Sequence, residues 1–122
     1  GVCMSFNQAI ELDSHSLFNI ECHSVHHPAL AFHDKVFQSE ELLCDKSFWD
    51  INLKRKVTYL AYPYGNYNDE TQQVAKELKF EAAFTTECKF IHYKSNLFTL
   101  SRFQVKNWDE KSFEQNLKKL ME

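Results

Sequence analysis

Two histidines four positions apart are the residues of this sequence best suited to chemistry. His23 and His27 lie in the segment His-Ser-Val-His-His-Pro, which ends at Pro28. Imidazole is the commonest protein ligand for catalytic divalent metals, and positions i and i+4 of a helix are neighbours on one face. Because a proline disfavours helical backbone at the residue before it, the helical turn would end at His27. The spacing predicts a pair of ligands for one metal ion, with ordinary surface histidines as the alternative. His26 is expected to face solvent, since adjacent residues point to different faces.

A second segment has the pattern of a strand, a loop and a helix. The β-branched and aromatic run at residues 57–62 is typical of a buried strand, and Pro63-Tyr64-Gly65 opens a turn-rich loop after it. Asp69 is the predicted N-cap of the next helix, with Gln72 completing a capping box. Loops at the carboxyl ends of strands carry the chemistry of α/β folds. This loop is therefore the second candidate site.

Predicted helices and strands alternate along the rest of the chain. Apolar residues at helical spacing predict helices at residues 5–13, 39–54, 69–78 and 109–121, and Ser5 with Gln8 forms a capping box for the first. Strands are predicted at residues 17–22, 57–62, 81–85, 97–100 and 103–105. Because helices and strands alternate, the pattern indicates parallel βα units and an α/β fold class.

The two motifs together resemble the polysaccharide deacetylases of the NodB-homology type, carbohydrate esterase family 4. That family carries a His-(Ser/Thr)-x-x-His-Pro or slightly longer metal motif, and a later strand that ends in a Tyr-Pro-Tyr-Gly-like loop. The matching positions, within a similarity from about Met4 to Arg102, are His23, Ser24, His27, Pro28, Tyr62, Pro63, Tyr64, Gly65, Ala83, Phe84 and Thr85. The branch acting on poly-N-acetylglucosamine is the most similar, and Ala61 suits that branch where many other members have an arginine. The resemblance implies part of a distorted (β/α) barrel of the NodB type.

The resemblance also implies a reaction, a cofactor and a substrate. The reaction would be metal-dependent hydrolysis of N-acetyl groups from an N-acetylglucosamine-containing polysaccharide of a biofilm or cell wall. Nitrogen and carboxylate ligands with open positions suit zinc, with cobalt or nickel as substitutes. The family further implies an extracytoplasmic protein of a bacterium, whether periplasmic, secreted or at the cell surface.

Individual residues receive roles from the same resemblance. His23 and His27 would be metal ligands, and the backbone N–H of Tyr64 would stabilise the oxyanion. The residues expected to contact the sugar are Tyr62, Pro63, Gly65 and Tyr67, and the supporting residues are Ser24 and Arg102. Packing in the core or at its rim is the alternative for the tyrosines at 62 and 67. An ordinary surface position is the alternative for Arg102.

The family's Asp-Asp motif, which supplies a metal ligand and the catalytic base, has no counterpart in this sequence. Only 22 residues precede His23, and none of them forms a strand that ends in Asp-Asp. No recognisable general-acid histidine is present either. We expect residues 1–122 to be a single deacetylase-like domain that lacks its amino-terminal part and has low activity alone. The alternative is a non-catalytic carbohydrate-binding or scaffold protein that keeps the fold without the acids.

Composition excludes several other classes of protein. The net charge of −3 is spread along the chain, so no basic stripe for nucleic acid or polybasic patch for membranes is present. No apolar run reaches the ~20 residues of a membrane span, and no signal-peptide pattern opens the chain. The cysteines at 3, 22, 44 and 88 have no metal or redox spacing, so buried thiols are expected, although an exported protein could pair some of them. A barrel without its first strands would leave an uncovered edge, which predicts self-association.

Overall fold

Four parallel chain segments lie side by side at the centre of the protein. In the computed structural model, which describes residues 3–122, strands β1 (Tyr59–Ala61) and β2 (Ala82–Phe84) pair in parallel. Cys22 forms a single parallel bridge to the free side of β1, and Leu100 forms another to the free side of β2. The order across the array is therefore Cys22, β1, β2 and Leu100. All four segments point the same way, as a fold of βα units requires.

Four α-helices accompany this array. Their bounds, with those of two 3₁₀ turns, are α1 Phe6–Ser14, α2 Lys35–Leu53, α3 Asp69–Glu77, α4 Glu110–Met121, and the turns Leu30–Phe32 and Pro63–Gly65. Helix α2 connects Cys22 to β1, and α3 connects β1 to β2. Each α-helix begins where a side chain accepts a backbone N–H of the first turn, namely that of Ser5, Asp34, Asn68 or Asp109.

The core is one cluster of apolar side chains between the parallel array and helices α2 and α3. Its members are Cys22, Leu30, Leu42, Val57, Leu60, Tyr62, Val74, Ala75, Phe80 and Ala83. Burial of such side chains stabilises a fold by roughly 25 cal/mol per Å² of apolar surface. The cluster fixes α2 against the array, and α2 carries the side chains that hold the loop after Cys22.

The predicted α/β class is confirmed, and the barrel fragment is recognisable in the parallel βα order. The helices lie where they were predicted, apart from details at their starts. Helix α2 begins at Lys35, four residues before the predicted start, because Asp34 caps it. The N-cap of α3 is Asn68, where Asp69 was predicted, and Thr71 completes its capping box in place of Gln72.

Three of the predicted strands are wrong. Residues 17–22, 97–100 and 103–105 have no regular strand, apart from the bridges at Cys22 and Leu100. Before Cys22, side chains satisfy the backbone in place of a neighbouring strand: Ile20 N–H donates to Asp13 Oδ1 at 2.7 Å, and Ile20 O accepts from Arg55 Nη2 at 2.6 Å. An extended segment whose backbone is already paired in this way cannot extend a ladder.

The surface carries more apolar side chains and thiols than the sequence pattern suggests. Cys3, Cys44 and Cys88 are exposed, so the expectation of four buried thiols is wrong for all except Cys22. Large apolar side chains are exposed on and beside α1 and α2, among them Met4, Phe6, Val36, Phe48 and Ile51. In residues 3–122, no helix combines the length and apolar character needed to cross a bilayer.

Candidate functional site

The candidate site lies at the carboxyl edge of the parallel array. The segment His23–Pro28, here called the His loop, follows the bridge at Cys22 directly. The turn Pro63–Gly65 follows β1, and Thr86 lies two residues beyond β2. Parallel segments end at the same edge of a sheet, so the fold brings these three loops together.

The two histidines of the predicted pair meet at this edge. The ring centroids of His23 and His27 are 4.7 Å apart, and both residues are exposed. The predicted helical turn is wrong, because the His loop is irregular and both Ser24 (φ 67°) and His27 (φ 55°) have left-handed backbone. The hydroxyl of Ser24 accepts the N–H of His27 at 3.1 Å. The rings therefore converge through a tight loop and not through helical spacing.

A backbone carbonyl of β1 determines which nitrogen of the His23 ring carries the proton. Nδ1 of His23 lies 2.7 Å from the carbonyl oxygen of Ala61. A carbonyl oxygen only accepts hydrogen bonds, so Nδ1 must carry the proton and donate. The lone pair of the neutral ring is then on Nε2, the nitrogen free to bind a metal.

Two buried carboxylates that the sequence analysis missed hold the His loop from behind. Asp45 accepts the backbone N–H of His23 at 2.9 Å. Glu41 accepts the backbone N–H of His26, and its second carboxylate oxygen lies 3.0 Å from Nδ1 of the His26 ring. Both acids lie one turn apart on the inward face of α2, and each is only 6% exposed. Two acids at positions i and i+4 among core residues were the signal in the sequence, because buried carboxylates require hydrogen-bond donors.

Burial and hydrogen bonding shift the pKa values of these two acids in opposite directions. Burial raises the pKa of Asp45 above its usual value, although backbone N–H groups and the Cys22 thiol favour its charged form. Burial would also raise the pKa of Glu41, but hydrogen bonds from the ring and backbone of His26 outweigh it and lower that pKa. The thiol of Cys22 has a raised pKa, mainly from burial, which disfavours it as a metal ligand.

His26 faces solvent, as predicted. Its side chain is 78% exposed, and Nδ1 lies 3.0 Å from Glu41 Oε2. No group of three or more His, Cys, Asp or Glu side chains in residues 3–122 is arranged to hold a metal ion. The chemistry of the donor set nevertheless fits part of a zinc site, because neutral imidazoles are typical zinc ligands. His23 and His27 would supply two nitrogens, and at least one further ligand would have to come from elsewhere.

The turn after β1 places an aromatic ring beside the histidines. The Tyr64 ring packs edge-on against His27, with centroids 4.4 Å apart, and remains 68% exposed. Tyr64 (φ 57°) and Gly65 (φ 64°) both have left-handed backbone. A Cβ on Gly65 would lie 2.2 Å from Thr86 Oγ1. The glycine is therefore needed where this turn meets Thr86, and its predicted contact with the sugar remains a prediction.

Two of the predicted sugar-contacting residues are part of the core. Tyr62 is fully buried, and its hydroxyl donates to the carbonyl of Phe98 at 2.9 Å. Pro63 is also buried. Neither side chain is accessible to a ligand. The predicted contact of these two side chains with the sugar is therefore wrong, and both pack in the core. Tyr67 is half-buried and stacks on Tyr62 with centroids 5.1 Å apart, which places it at the rim.

Arg102 lies at the same edge, beyond Leu100. Its Nε donates to the carbonyl of Thr85 at 2.7 Å, and its backbone N–H donates to Glu87 O at 3.0 Å. With Thr86 and Phe103 it lines a cavity of about 400 Å³. The arginine thus ties the end of β2 to the segment after Leu100, and its predicted supporting role remains a prediction.

Comparison with known proteins gives one family. Residues 7–83 match the family model described as polysaccharide deacetylase. YxkH of Bacillus subtilis (strain 168), a curated relative named for this family, is 28% identical over 98 residues, which are 80% of this chain and 35% of the relative. The deacetylase PplD of Streptococcus pyogenes, solved in complex with acetate, superposes with a TM-score of 0.86 at 28% identity.

The match to PplD covers 98% of this chain and 51% of that structure, so this chain spans about half of PplD and about a third of YxkH. The fold also occurs in BA3943, a pseudoenzyme of carbohydrate esterase family 4 from Bacillus anthracis. That structure superposes with a TM-score of 0.59 at 18% identity, over 63% of this chain and 27% of its own length.

Proposed function

Because this chain belongs to the polysaccharide deacetylase family, we propose that it forms the histidine-bearing part of a catalytic domain that hydrolyses N-acetyl groups of an N-acetylglucosamine-containing polysaccharide. The observation that carries the proposal is the pairing of His23 and His27 at the carboxyl edge, with the Ala61 carbonyl leaving Nε2 of His23 free. Such a pair suits two positions of a catalytic metal site.

We assign residues 1–122 to one domain. The acids would come from an amino-terminal part of that domain, upstream of these residues. Three observations support this assignment. The chain covers 51% of PplD, the sequence has no Asp-Asp motif, and apolar side chains around α1 and α2 are exposed. The missing acids would complete the metal site and supply the base.

Zinc is the metal proposed, with cobalt or nickel as substitutes, and His23 and His27 would hold it. When bound, such an ion supplies Lewis-acid polarisation of the acetyl carbonyl and acidifies a water at the site. The chain's own residues orient the reaction. The Ser24 hydroxyl holds the backbone of His27, and the Ala61 carbonyl holds the ring of His23. The backbone N–H of Tyr64 is the proposed donor to the developing oxyanion.

The sugar would lie against the exposed ring of Tyr64 and the rim residue Tyr67, with the backbone of Gly65 between them. An aromatic face packs well against the apolar face of a sugar ring, and Tyr64 is 68% exposed beside His27. This arrangement replaces the buried Tyr62 of the sequence interpretation. Poly-N-acetylglucosamine is the proposed polymer, supported by the Tyr-Pro-Tyr-Gly turn and by Ala61, and the proposed location is extracytoplasmic in a bacterium.

The test is acetate release from N-acetylglucosamine oligomers by the protein that carries this chain, with added zinc. We expect His23→Ala and His27→Ala to abolish turnover while the protein remains folded. His92→Ala is the matched control, because His92 is an exposed loop residue outside the His loop and the turn Pro63–Gly65, and its substitution should leave turnover unchanged. Acetate release that survives loss of both edge histidines would refute the proposed site.

A second candidate is a non-catalytic carbohydrate-binding or scaffold protein. The observation that favours it is that the described residues contain only two of the ligands a catalytic metal needs. It would bind N-acetylglucosamine oligomers in a calorimeter without releasing acetate at any zinc concentration. Turnover that depends on His23 would exclude it.

A further inference from the structure

Side chains accept three backbone N–H groups of the His loop. The N–H of His23 donates to Asp45, and that of His26 donates to Glu41. The N–H of His27 donates to the hydroxyl of Ser24. Hence none of these three amides relies on a neighbouring strand or helix. The loop's shape is set by acceptors that α2 and the loop itself provide.

This arrangement answers a local conformational problem. Left-handed backbone is unfavourable for residues with a Cβ, and the loop contains it at Ser24 and at His27. Backbone N–H groups that such a loop leaves without a strand or helix partner attract anions. Here the anions are two carboxylates that α2 delivers from the core side. They favour the loop conformation in which the rings of His23 and His27 pack edge to face.

We propose that Glu41 and Asp45 are positioning residues, which set the geometry of the His23–His27 pair by holding the backbone of the His loop from the core. The inference rests on the proposed function, because positioning has meaning only if the histidines bind a metal. Neither acid is available as a ligand or base, since each already accepts a hydrogen bond from the His loop and both side chains are buried.

The chain contains a matched control on the same helix. Asp50 is a mostly buried acid of α2 that also accepts a backbone N–H, that of Val57 at 2.7 Å, and pairs with Lys46. It does not contact the His loop. Asp50→Asn therefore removes a mostly buried charge from the same helix but leaves the loop's acceptors in place.

The experiment compares Asp45→Asn, Glu41→Gln and Asp50→Asn in the protein that carries this chain. Each amide keeps one acceptor oxygen and replaces the other with an NH₂ group, which repels a backbone N–H. Cobalt(II) is the probe, titrated by its visible absorption, and hydrogen exchange of amides 23 and 26 is measured on metal-free protein. Loss of a residue that orients a ligand typically costs about 10–100-fold in metal affinity. We expect that loss in Asp45→Asn, with faster exchange at amide 23, and in Glu41→Gln, with faster exchange at amide 26, but not in Asp50→Asn.

The outcomes separate this inference from the proposed function. Cobalt binding that is equal in the wild type and Asp45→Asn would overturn the positioning role and leave the metal site intact. Wild-type protein with protected amides 23 and 26 but no cobalt binding would overturn the proposed metal site and, with it, the inference. If Asp50→Asn weakens cobalt binding as much as Asp45→Asn does, the effect is general destabilisation and the inference is wrong.

Discussion

The Nδ1 atom of His23 lies 2.7 Å from the carbonyl oxygen of Ala61. This hydrogen bond connects the His loop to β1 and selects the ring nitrogen that is available for a metal. His23→Asn separates the two roles, because the asparagine amide can still donate to Ala61 but offers no counterpart of Nε2. We expect the cobalt affinity to fall by at least about tenfold. The free energy of unfolding should change by less than the ~1 kcal/mol of one hydrogen bond. Cobalt titration and urea denaturation check the two expectations, and an unchanged affinity would exclude His23 as a ligand.

A methyl group at position 65 should destabilise the protein. In Gly65→Ala, the new Cβ would meet Thr86 Oγ1 at 2.2 Å and the Thr86 backbone nitrogen at 2.8 Å, on left-handed backbone. Left-handed backbone costs about 1–2 kcal/mol for a residue with a Cβ, and crowding adds about 1–3 kcal/mol. We expect a lower midpoint of urea unfolding. The double variant with Thr86→Ala should recover part of the loss, because it removes the nearest atom. Equal midpoints for wild type and Gly65→Ala would show that the turn can rearrange freely.

An ion pair between α1 and the segment before β1 should make stability depend on pH. Arg55 donates to both carboxylate oxygens of Asp13, at 3.1 and 2.6 Å. This hydrogen bonding holds the pKa of Asp13 below its usual value, against the opposing effect of burial. A group whose pKa is lowered by folding contributes stability above its unfolded pKa, near 3.9, and that contribution is lost as the pH falls through the folded pKa. We therefore expect the free energy of unfolding to drop below about pH 4.

Arg55→Gln should reduce that dependence, because Asp13 then loses the partner that lowers its pKa. Urea unfolding at pH 7 and at pH 3 measures the difference for wild type and variant. Lys118→Gln is the control, since its partner Glu114 is an exposed neighbour on α4 and such pairs contribute little. An Arg55→Gln variant with the same pH dependence as the wild type would contradict the assignment.

The apolar surface near α1 and α2 should make the 122-residue chain self-associate when it is produced alone. Ile51 is 74% exposed and Phe48 is 49% exposed on α2, and the bridge at Cys22 leaves an open edge. Contiguous apolar patches and open edges favour association. Light scattering should show species larger than a monomer, and Phe48→Lys with Ile51→Lys should shift them toward monomer. A wild-type chain that is monomeric by light scattering would show that this apolar surface does not cause association.

Deacetylase activity should require the acids that we propose to lie upstream of these residues. We expect the chain alone to be nearly inactive on N-acetylglucosamine oligomers, since it lacks a carboxylate base, and a positioned base contributes about 10²–10⁴-fold. A longer protein that restores the upstream acids should release acetate. Acetate release by the 122 residues alone, at the rate of the longer protein, would mean that an acid within the chain serves as base.

The sequence predicted those parts of the site that depend on local pattern. The His23–His27 pair, the strand before Pro63 and the helix after it follow from spacing and residue type, and the structure has all three. The irregular His loop could not be predicted, because its left-handed residues depend on carboxylates from α2, 15 or more positions along the chain. The buried position of Tyr62 was also out of reach, since it depends on the carbonyl of Phe98. The single bridges at Cys22 and Leu100 depend on neighbours that a one-dimensional pattern does not contain.

The contacts that shape the His loop join residues far apart in the chain: His23 meets Asp45 at a separation of 22 positions and Ala61 at a separation of 38. Closing such loops costs entropy, which the contacts of the assembled fold repay. The hydrogen bond that leaves Nε2 of His23 free therefore forms only once β1 has joined the array. A chain interrupted between the His loop and β1 would keep both histidines but lack the acceptor that orients the ring of His23.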